Sequence, residues 1–222
     1  MTTLRQRIAI DTRYTLAGLP LTVAGFSLTV AGISGGLGSA VAFVGLPVLA
    51  GTALLARRLA DFERLALPGV LGHPVARPRY TAAPADAGWF RRLMNPLASG
   101  QAAMDLLHAI VTFPISLAAF VLTAVWWAGA VLGLTFPIYG WALADIFGTD
   151  GNLPALLGLG DGVGMYVGFN TAAGVLFALT LVPVLRIAAL LKAGVAQALL
   201  TRPYEPVAPV APVAAAAWVT AR

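Results

Sequence analysis

The chain has 222 residues, of which 59% are hydrophobic and 10% are charged, and its mean hydropathy is +0.85. A soluble domain carries about 25% charged residues, so this composition excludes a soluble protein and predicts an integral membrane protein. Without cysteine the chain has neither a disulfide framework nor a thiolate metal site, and its net charge of +5 does not indicate nucleic acid, because the basic residues flank apolar segments.

The first predicted element is a transmembrane hairpin over residues 14–58, preceded by a basic segment, residues 1–13. No charged side chain occurs from Tyr14 to Ala56. One span needs about 20 apolar residues, so this run has the length of two. It is also too long for the apolar region of a signal peptide, so we expect a retained membrane anchor. The cluster Gly35-Gly36-Leu37-Gly38 favours a reversal between the two helices.

Residues 59–105 are predicted to form a cytoplasmic connection. The second helix is expected to continue past Arg58 until Pro68-Gly69 ends it, and a proline-rich linker follows. The end of this connection has an apolar helical face, which is typical of a short helix in the lipid headgroup region: Trp89, Phe90, Leu93, Met94 and Leu97. A helix that packs on the linker instead is the alternative.

The second predicted hairpin covers residues 106–200, and Phe136-Pro137 is expected to end its first helix. An extracellular segment of about residues 136–162 then separates the two helices and carries three acidic residues: Asp145, Asp150 and Asp161. Their spacing fits no calcium loop, so a solvated loop is favoured over a cation site. Residues 201–222 are predicted to be a Pro/Ala-rich cytoplasmic tail, whose prolines recur every three residues as in polyproline II.

The basic residues predict the orientation of the chain. All of them lie in the N-terminal segment, between Arg57 and Arg92, or from Arg186 onward. By the positive-inside rule, both termini and the central connection should face the cytoplasm of a bacterial plasma membrane.

An internal repeat relates the two hairpins. Aligning Pro20 with Pro114 also matches further apolar residues and threonines, and aligning Pro47 with Pro183 does the same for the second helix of each copy. We therefore predict an all-α fold with four transmembrane helices in two repeated hairpins. Because both copies should start and end in the cytoplasm, the expected arrangement is a parallel repeat about an axis along the membrane normal.

Three sets of residues are candidates for packing or movement inside the spans. Small residues seven apart on one face of the first helix indicate a packing stripe: Gly18, Gly25 and Gly32. Four prolines each remove a backbone hydrogen bond and act either as hinges or as fixed kinks: Pro20, Pro47, Pro114 and Pro183. Two adjacent tryptophans deep in the third span either line a cleft for a lipid or small molecule or simply pack: Trp126 and Trp127.

No catalytic, cofactor or metal site is predicted, and we do not expect an enzyme. The two histidines, His73 and His108, lie on separate segments without a nucleophile motif nearby. The interiors of the predicted spans contain no ionisable residues, which argues against an ion-coupled transporter.

Several short motifs resemble those of the actinobacterial sensor-domain family, a four-helix membrane region found at the N-terminus of many histidine kinases and also alone. The first helix opens with Tyr14 and Gly18-Leu19-Pro20, and the second carries Val-Gly-Leu-Pro-Val at residues 44–48. Further matches are Arg57-Arg58, Glu63, Leu71-Gly72-His73-Pro74, Tyr80, Trp89 to Arg92, Phe113-Pro114, and Phe136-Pro137 with Trp141. The resemblance covers about residues 13–201.

The resemblance implies signal transduction in a two-component system. No segment up to Arg222 resembles a phospho-acceptor helix or a nucleotide-binding box. We therefore expect either a stand-alone sensor-like protein or a membrane module cut away from its kinase.

Three functions follow as hypotheses. The leading one is a membrane sensor without its own kinase domain, which relays a membrane or extracellular signal to a cytoplasmic partner such as a histidine kinase. The first alternative is a structural or scaffolding membrane protein. The second is a small transporter or lipid-handling protein that works as a homodimer in the lipid bilayer.

Overall fold

The computed structural model describes residues 3–39, 44–76, 78, 80, 83–84 and 86–201. Every element of this part of the chain is a helix. In chain order the elements are α1 (Leu4–Leu16), α2 (Gly18–Gly38), α3 (Gly45–Leu71), α4 (Trp89–Met94), a 3₁₀ helix (Asn95–Ala98), α5 (Gly100–Phe147), α6 (Leu153–Leu156) and α7 (Val163–Leu200).

Helices α1 and α2 form one rod that is broken at Ala17. Thr3 and Gln6 cap its start reciprocally, side chain to backbone. The break follows from Pro20, because proline has no N–H to donate to the carbonyl of Leu16 and its ring crowds that carbonyl. Helix α2 continues through the glycine cluster to Gly38, so the reversal predicted at Gly35–Gly38 is wrong. Residues 40–43, between α2 and α3, lie outside the described residues.

Two predicted helix ends are wrong. Pro68 lies inside α3, and the helix ends at Gly72, whose φ of 81° is a left-handed conformation that glycine adopts without strain. Pro137 lies inside α5, which continues to Phe147 instead of stopping at Phe136. In both places the surrounding helix tolerates the loss of one hydrogen bond, as membrane helices often do.

Three helices in the described part of the chain are long and apolar enough to cross a membrane: Leu4–Gly38, Gly100–Phe147 and Val163–Leu200. Helix α3 is not among them, because its uncharged part within the helix extends only from Gly45 to Ala56 before Arg57. The long helices expose large apolar side chains along much of their length, including Leu107, Val131, Ile138 and Ile146 of α5. Such a surface suits contact with lipid.

The short helix that follows the linker packs in part on the protein. Helix α4 and the 3₁₀ helix both contact α3, while Trp89 is 76% exposed and stacks edge-on against Phe90. The segment therefore has one face on the bundle and its leading aromatic residue on the outside.

The two hairpins run in opposite directions. Within each hairpin the helices are antiparallel, as contacts of Gly32 with Thr52 and of Gly133 with Gly174 show. Between the hairpins, the residue numbers of the contacting partners in α5 decrease as those in α1 and α2 increase. The pairs are Thr12 with Trp127, Thr15 with Thr123, Thr22 with Ser116, and Phe26 with Phe113. The rod of α1 and α2 is thus antiparallel to α5.

The parallel repeat that we predicted is therefore wrong, although the repeat itself is visible. Thr22 and Ser116 are 94 positions apart, the same separation as Pro20 and Pro114, and they share a hydrogen bond. Equivalent residues of two copies meet at a twofold axis, and the antiparallel contacts of α1 and α2 with α5 make the relation an inverted repeat. The physical reason is side-chain pairing, because only this direction brings the hydroxyls of α1 and α2 onto those of α5.

The inverted arrangement places Leu4 and Leu200 at opposite ends of the bundle. Arg186 contacts Asp11 and Lys192 contacts Tyr14, so α7 runs parallel to α1. The predicted cytoplasmic location of both termini requires parallel hairpins, so the next experiment tests it together with the direction of the hairpins.

Single-cysteine variants test the antiparallel arrangement, because the chain contains no cysteine. Ser39 lies at the turn end of the first hairpin, and Asp150 lies in the loop at the opposite end of the bundle. We expect a membrane-impermeant maleimide, added to intact cells, to label only one of Ser39→Cys and Asp150→Cys. After lysis both should react. Equal labelling of both variants in intact cells would instead support the parallel repeat.

Candidate functional site

A group of charged side chains lies buried where the two hairpins meet. Five are almost inaccessible and a sixth is half-buried: Asp11, Glu63, Arg64, Asp105, Lys192 and, half-buried, Arg186. They come from α1, α3, α5 and α7. We call these six residues, with Tyr14, the buried ion-pair network.

Lys192 is the centre of one half of the network and is 0% exposed. Its Nζ lies 3.5 Å from Oε1 of Glu63 and donates to the carbonyl oxygen of Tyr14 at 3.3 Å. The ammonium also lies 4.2 Å from the centre of the Tyr14 ring, in a cation–π contact. The Tyr14 hydroxyl in turn donates to Glu63. One ammonium, one carboxylate and one phenol thus join α1, α3 and α7.

Gly18 makes room for this ammonium. A Cβ at Gly18 would lie 2.2 Å from Nζ of Lys192. A lysine side chain can usually move aside, but here it would have to leave Glu63 and Tyr14 to do so. The next two members of the predicted glycine stripe face α3 instead, Gly25 against Leu59 and Gly32 against Thr52.

Asp105 is the centre of the other half. It is fully buried and accepts hydrogen bonds from Arg64, from the hydroxyl of Tyr80 at 2.6 Å and from Gln101 at 3.1 Å. Arg64 uses its remaining donors on Asp61 and on the carbonyl oxygen of Leu200. The three engaged N–H groups of this guanidinium thus point to residues of α3, α5 and α7. The contacts with α5 and α7 fix the position of α3 between those two helices.

Tyr80 ties the linker to the same place. The Arg57 guanidinium lies 3.4 Å from the centre of the Tyr80 ring. Burial and the hydrogen bond to Asp105 raise the pKa of Tyr80 above its ordinary value, so the phenol keeps its proton and donates it to that carboxylate. The linker is thus attached to a carboxylate that belongs to the second hairpin.

Arg186 closes the network at a third point. Its guanidinium reaches Asp11 at 3.2 Å and the carbonyl oxygen of Val70 at 2.8 Å. These contacts connect α7 with the second half of α1 and with the end of α3. Helix α7 consequently makes polar contacts with the other helices at three of its residues, Arg186, Lys192 and Leu200.

The predicted site residues lie around this network rather than forming it. Pro20 and Pro47 are the third residues of α2 and α3, where the first backbone N–H groups of a helix lack partners anyway, whereas Pro114 and Pro183 lie inside α5 and α7. Trp126 and Trp127 each donate a hydrogen bond to a neighbouring helix. Trp126 donates to Thr180 of α7, and Trp127 donates to Thr12 of α1.

The sequence reasoning missed the network because it looked for ionisable residues only in the uncharged interiors of the spans. Glu63 and Lys192 lie outside those interiors, on different predicted hairpins, and the structure brings them together where α3 packs against α7. A usable signal was present: Lys192, the only lysine, stands in a run of alanine, leucine, glycine and valine that offers no polar face. Such a position predicts burial.

A groove of about 430 Å³ borders the network. Its walls are mostly apolar, and its polar lining consists of Arg13, Tyr14, Glu63 and Lys192. A second open groove, of about 700 Å³, lies beside it and is lined in part by Arg7, Arg64 and His73. In the described residues no group of three or more His, Cys, Asp or Glu side chains could hold a metal ion.

These features define an all-helical membrane protein with charges paired at the junction of two hairpins. The family model described as "Putative sensor" matches residues 14–200, and the chain belongs to that family. The match confirms the predicted membership in a sensor-domain family. No curated protein and no solved structure matches the chain.

Removal of the Lys192 charge tests the energetic role of the network. Lys192→Met leaves Glu63 buried without its cation, and we expect the free energy of unfolding in detergent to fall by about 3–5 kcal/mol. The triple variant Lys192→Met, Glu63→Leu, Tyr14→Phe removes the whole polar group and should regain most of that loss. Arg58→Ala, an exposed charge, serves as the control and should change stability by less than about 0.5 kcal/mol. A triple variant no more stable than Lys192→Met would contradict this account.

A methyl group at Gly18 should displace the ammonium. We expect Gly18→Ala to cost about 1–3 kcal/mol, since overpacking forces the buried side chain from its position. The matched control is Gly168→Ala in α7, where a Cβ would meet nothing within 4 Å, so stability should hold or rise. In a Lys192→Met background the cost at Gly18 should shrink. An undiminished cost there would show that the ammonium is not what the methyl group displaces.

Proposed function

We propose that this protein is a membrane sensor and signal-transduction module, which relays a membrane or extracellular signal to a cytoplasmic partner such as a histidine kinase. In this proposal the three helices that are long and apolar enough, α1 with α2, α5 and α7, cross the plasma membrane of a bacterium. The predicted fourth crossing, by α3, would require both hairpins to start on the same side of the membrane. Family membership supports sensing in general. The observation that carries the proposal is the buried ion-pair network, because it couples both hairpins and the linker through a few costly contacts.

Buried ion pairs favour discrete states over gradual movement. A charge that loses its partner inside the bundle costs several kcal/mol, so intermediate helix positions are disfavoured. A new arrangement has to exchange partners, for example by a shift of one helical turn, about 5.4 Å. A signal that favours one arrangement then selects between two packings.

Helix α3 is the element best placed to make such a shift. Its neighbouring residues Glu63 and Arg64 hold Lys192 of α7 and Asp105 of α5, respectively. Any rotation or translation of α3 therefore acts on both helices of the second hairpin at once.

The linker offers a route for the output. Tyr80 reaches the network through Asp105 and contacts Arg57 of α3. If α3 shifts, the linker has to release Tyr80 or follow it. A partner that binds the linker or the C-terminal tail would detect that change.

The groove favours a second candidate function, a lipid-handling protein or small transporter. In the sequence, the lack of ionisable residues inside the predicted spans argues against this class. In the structure, however, Lys192 and Glu63 are buried between apolar helices and also line the groove. Intramembrane ionisable residues often mark ion or substrate paths. No comparable feature favours the scaffold, which stays an alternative.

Affinity purification from the native membrane, with partners identified by mass spectrometry, tests the sensor proposal. We expect the intact protein to retain a histidine kinase or response regulator, and deletion of Pro203 to Arg222 to lose it if the tail carries the signal. Lys192→Met should change the recovered amount of that partner, because the coupling passes through the network, whereas Arg58→Ala should not.

Two results would count against the sensor. Recovery of copies of the same chain alone would favour the scaffold. Recovery of specific lipids alone, lost in Lys192→Met, would favour the lipid-handling candidate.

A further inference from the structure

A small inner chamber lies between the hairpins, deeper than the groove. Its volume is about 20 Å³, measured as the space open to the centre of a water molecule. Residues of α2, α3 and α5 form its walls: Leu21, Thr22, Gly25, Ala56, Leu59, Ala60, Glu63, His108, Ala109 and Thr112. Most of this lining is apolar, but Glu63, His108 and Thr112 bring polar groups to it.

Two of these polar groups have no hydrogen-bond partner within the described residues: Nε2 of His108 and Oγ1 of Thr112. His108 is 7% exposed and Thr112 is 1% exposed, so bulk water does not serve them. Buried polar atoms are nearly always paired in folded proteins. Both side chains line the chamber, so one group inside it would be close to both.

Thr112 differs in this respect from several threonines of the long helices, and Thr29, which is also unpaired, does not line the chamber. Thr52, Thr135 and Thr171 each donate to the carbonyl four residues earlier in their own helix. Thr112 makes no such bond, so its hydroxyl is free to serve the chamber. His108 is one turn earlier in α5, which puts the two groups on the same helical face.

The chamber fits one kind of occupant. A cavity needs about 10–15 Å³ by this measure to hold one water, and a buried water usually bonds two to four polar groups. Water can also donate to one group while accepting from another, as an imidazole nitrogen and a hydroxyl together require. Larger ligands do not fit this volume.

The chamber adjoins the groove, because Leu21 and Glu63 line both spaces. The carboxylate that pairs with Lys192 is therefore the polar group nearest to both of them.

We propose that the inner chamber is a water-binding site, in which one water bridges Nε2 of His108 and Oγ1 of Thr112 and exchanges with the groove past Glu63. Both partners of this water belong to α5, so the site satisfies two buried polar groups of one helix at the place where that helix faces the first hairpin.

Solid-state NMR of the chain in lipid bilayers, labelled with ¹⁵N-histidine, tests the proposal. The chain has two histidines, so the exposed His73→Gln variant leaves His108 as the only labelled ring. We expect a magnetisation-transfer peak between water protons and Nε2 of His108. Adding Thr112→Val should weaken that peak at least fivefold, because the water loses its second partner. Adding Thr135→Val should leave it unchanged, because that hydroxyl bonds only its own helix.

Either of two results would overturn the proposal: no water peak at His108, or a peak of equal strength in the Thr112→Val protein. The Thr135→Val spectrum and the backbone signals of each variant show whether the bundle is folded. The unsubstituted chain provides a second measurement, since a paramagnetic solvent additive broadens exposed His73 but not His108. The outcome does not depend on the sensor proposal, which concerns the ion pairs.

Discussion

The bundle depends on one constraint: a charge placed among apolar helices has to meet an opposite charge. An isolated buried ion costs several kcal/mol even after relaxation, which is a large part of the total stability of a typical protein. Lys192 therefore restricts where α3 can lie, and Asp105 restricts it a second time through Arg64. Apolar surfaces alone permit many helix registers, but paired charges permit few. The register of the four long helices follows from these pairs.

Small residues make the pairing possible. Where α3 meets α7, small side chains share one buried cluster, which allows the helices to approach closely: Ala60, Ala189, Ala193 and Ala196. Gly18 provides the remaining space at Lys192. The glycine stripe seen in the sequence thus has different partners at each level, an ammonium at Gly18 and apolar or hydroxyl groups at Gly25 and Gly32. Packing and electrostatics are not separable here, since a methyl group at Gly18 would displace the ammonium of Lys192.

Much of the fold could be predicted from the sequence, and the reasons for the rest are physical. Composition and uncharged length indicated apolar membrane helices, and the aligned prolines revealed a repeat whose equivalent residues Thr22 and Ser116 do meet. The direction of the hairpins could not be predicted, because a count of basic residues concerns the ends of helices and not which faces pair. The network was missed because its members are distant in sequence: Glu63 and Lys192 lie on different predicted hairpins and become one site only where α3 packs against α7. The chamber depends on missing hydrogen bonds, which no sequence pattern reveals.

The length of α5 has a consequence of its own. Its 48 residues make a rod of about 70 Å, more than twice the hydrocarbon thickness of a bilayer, about 30 Å. Since apolar side chains are exposed along much of it, no single depth in the membrane satisfies its whole surface. Hydrophobic mismatch costs fractions of a kcal/mol per Å, and a helix relieves it by tilting or by associating with another. Bilayer thickness is thus a physical variable to which the tilt of this protein responds directly.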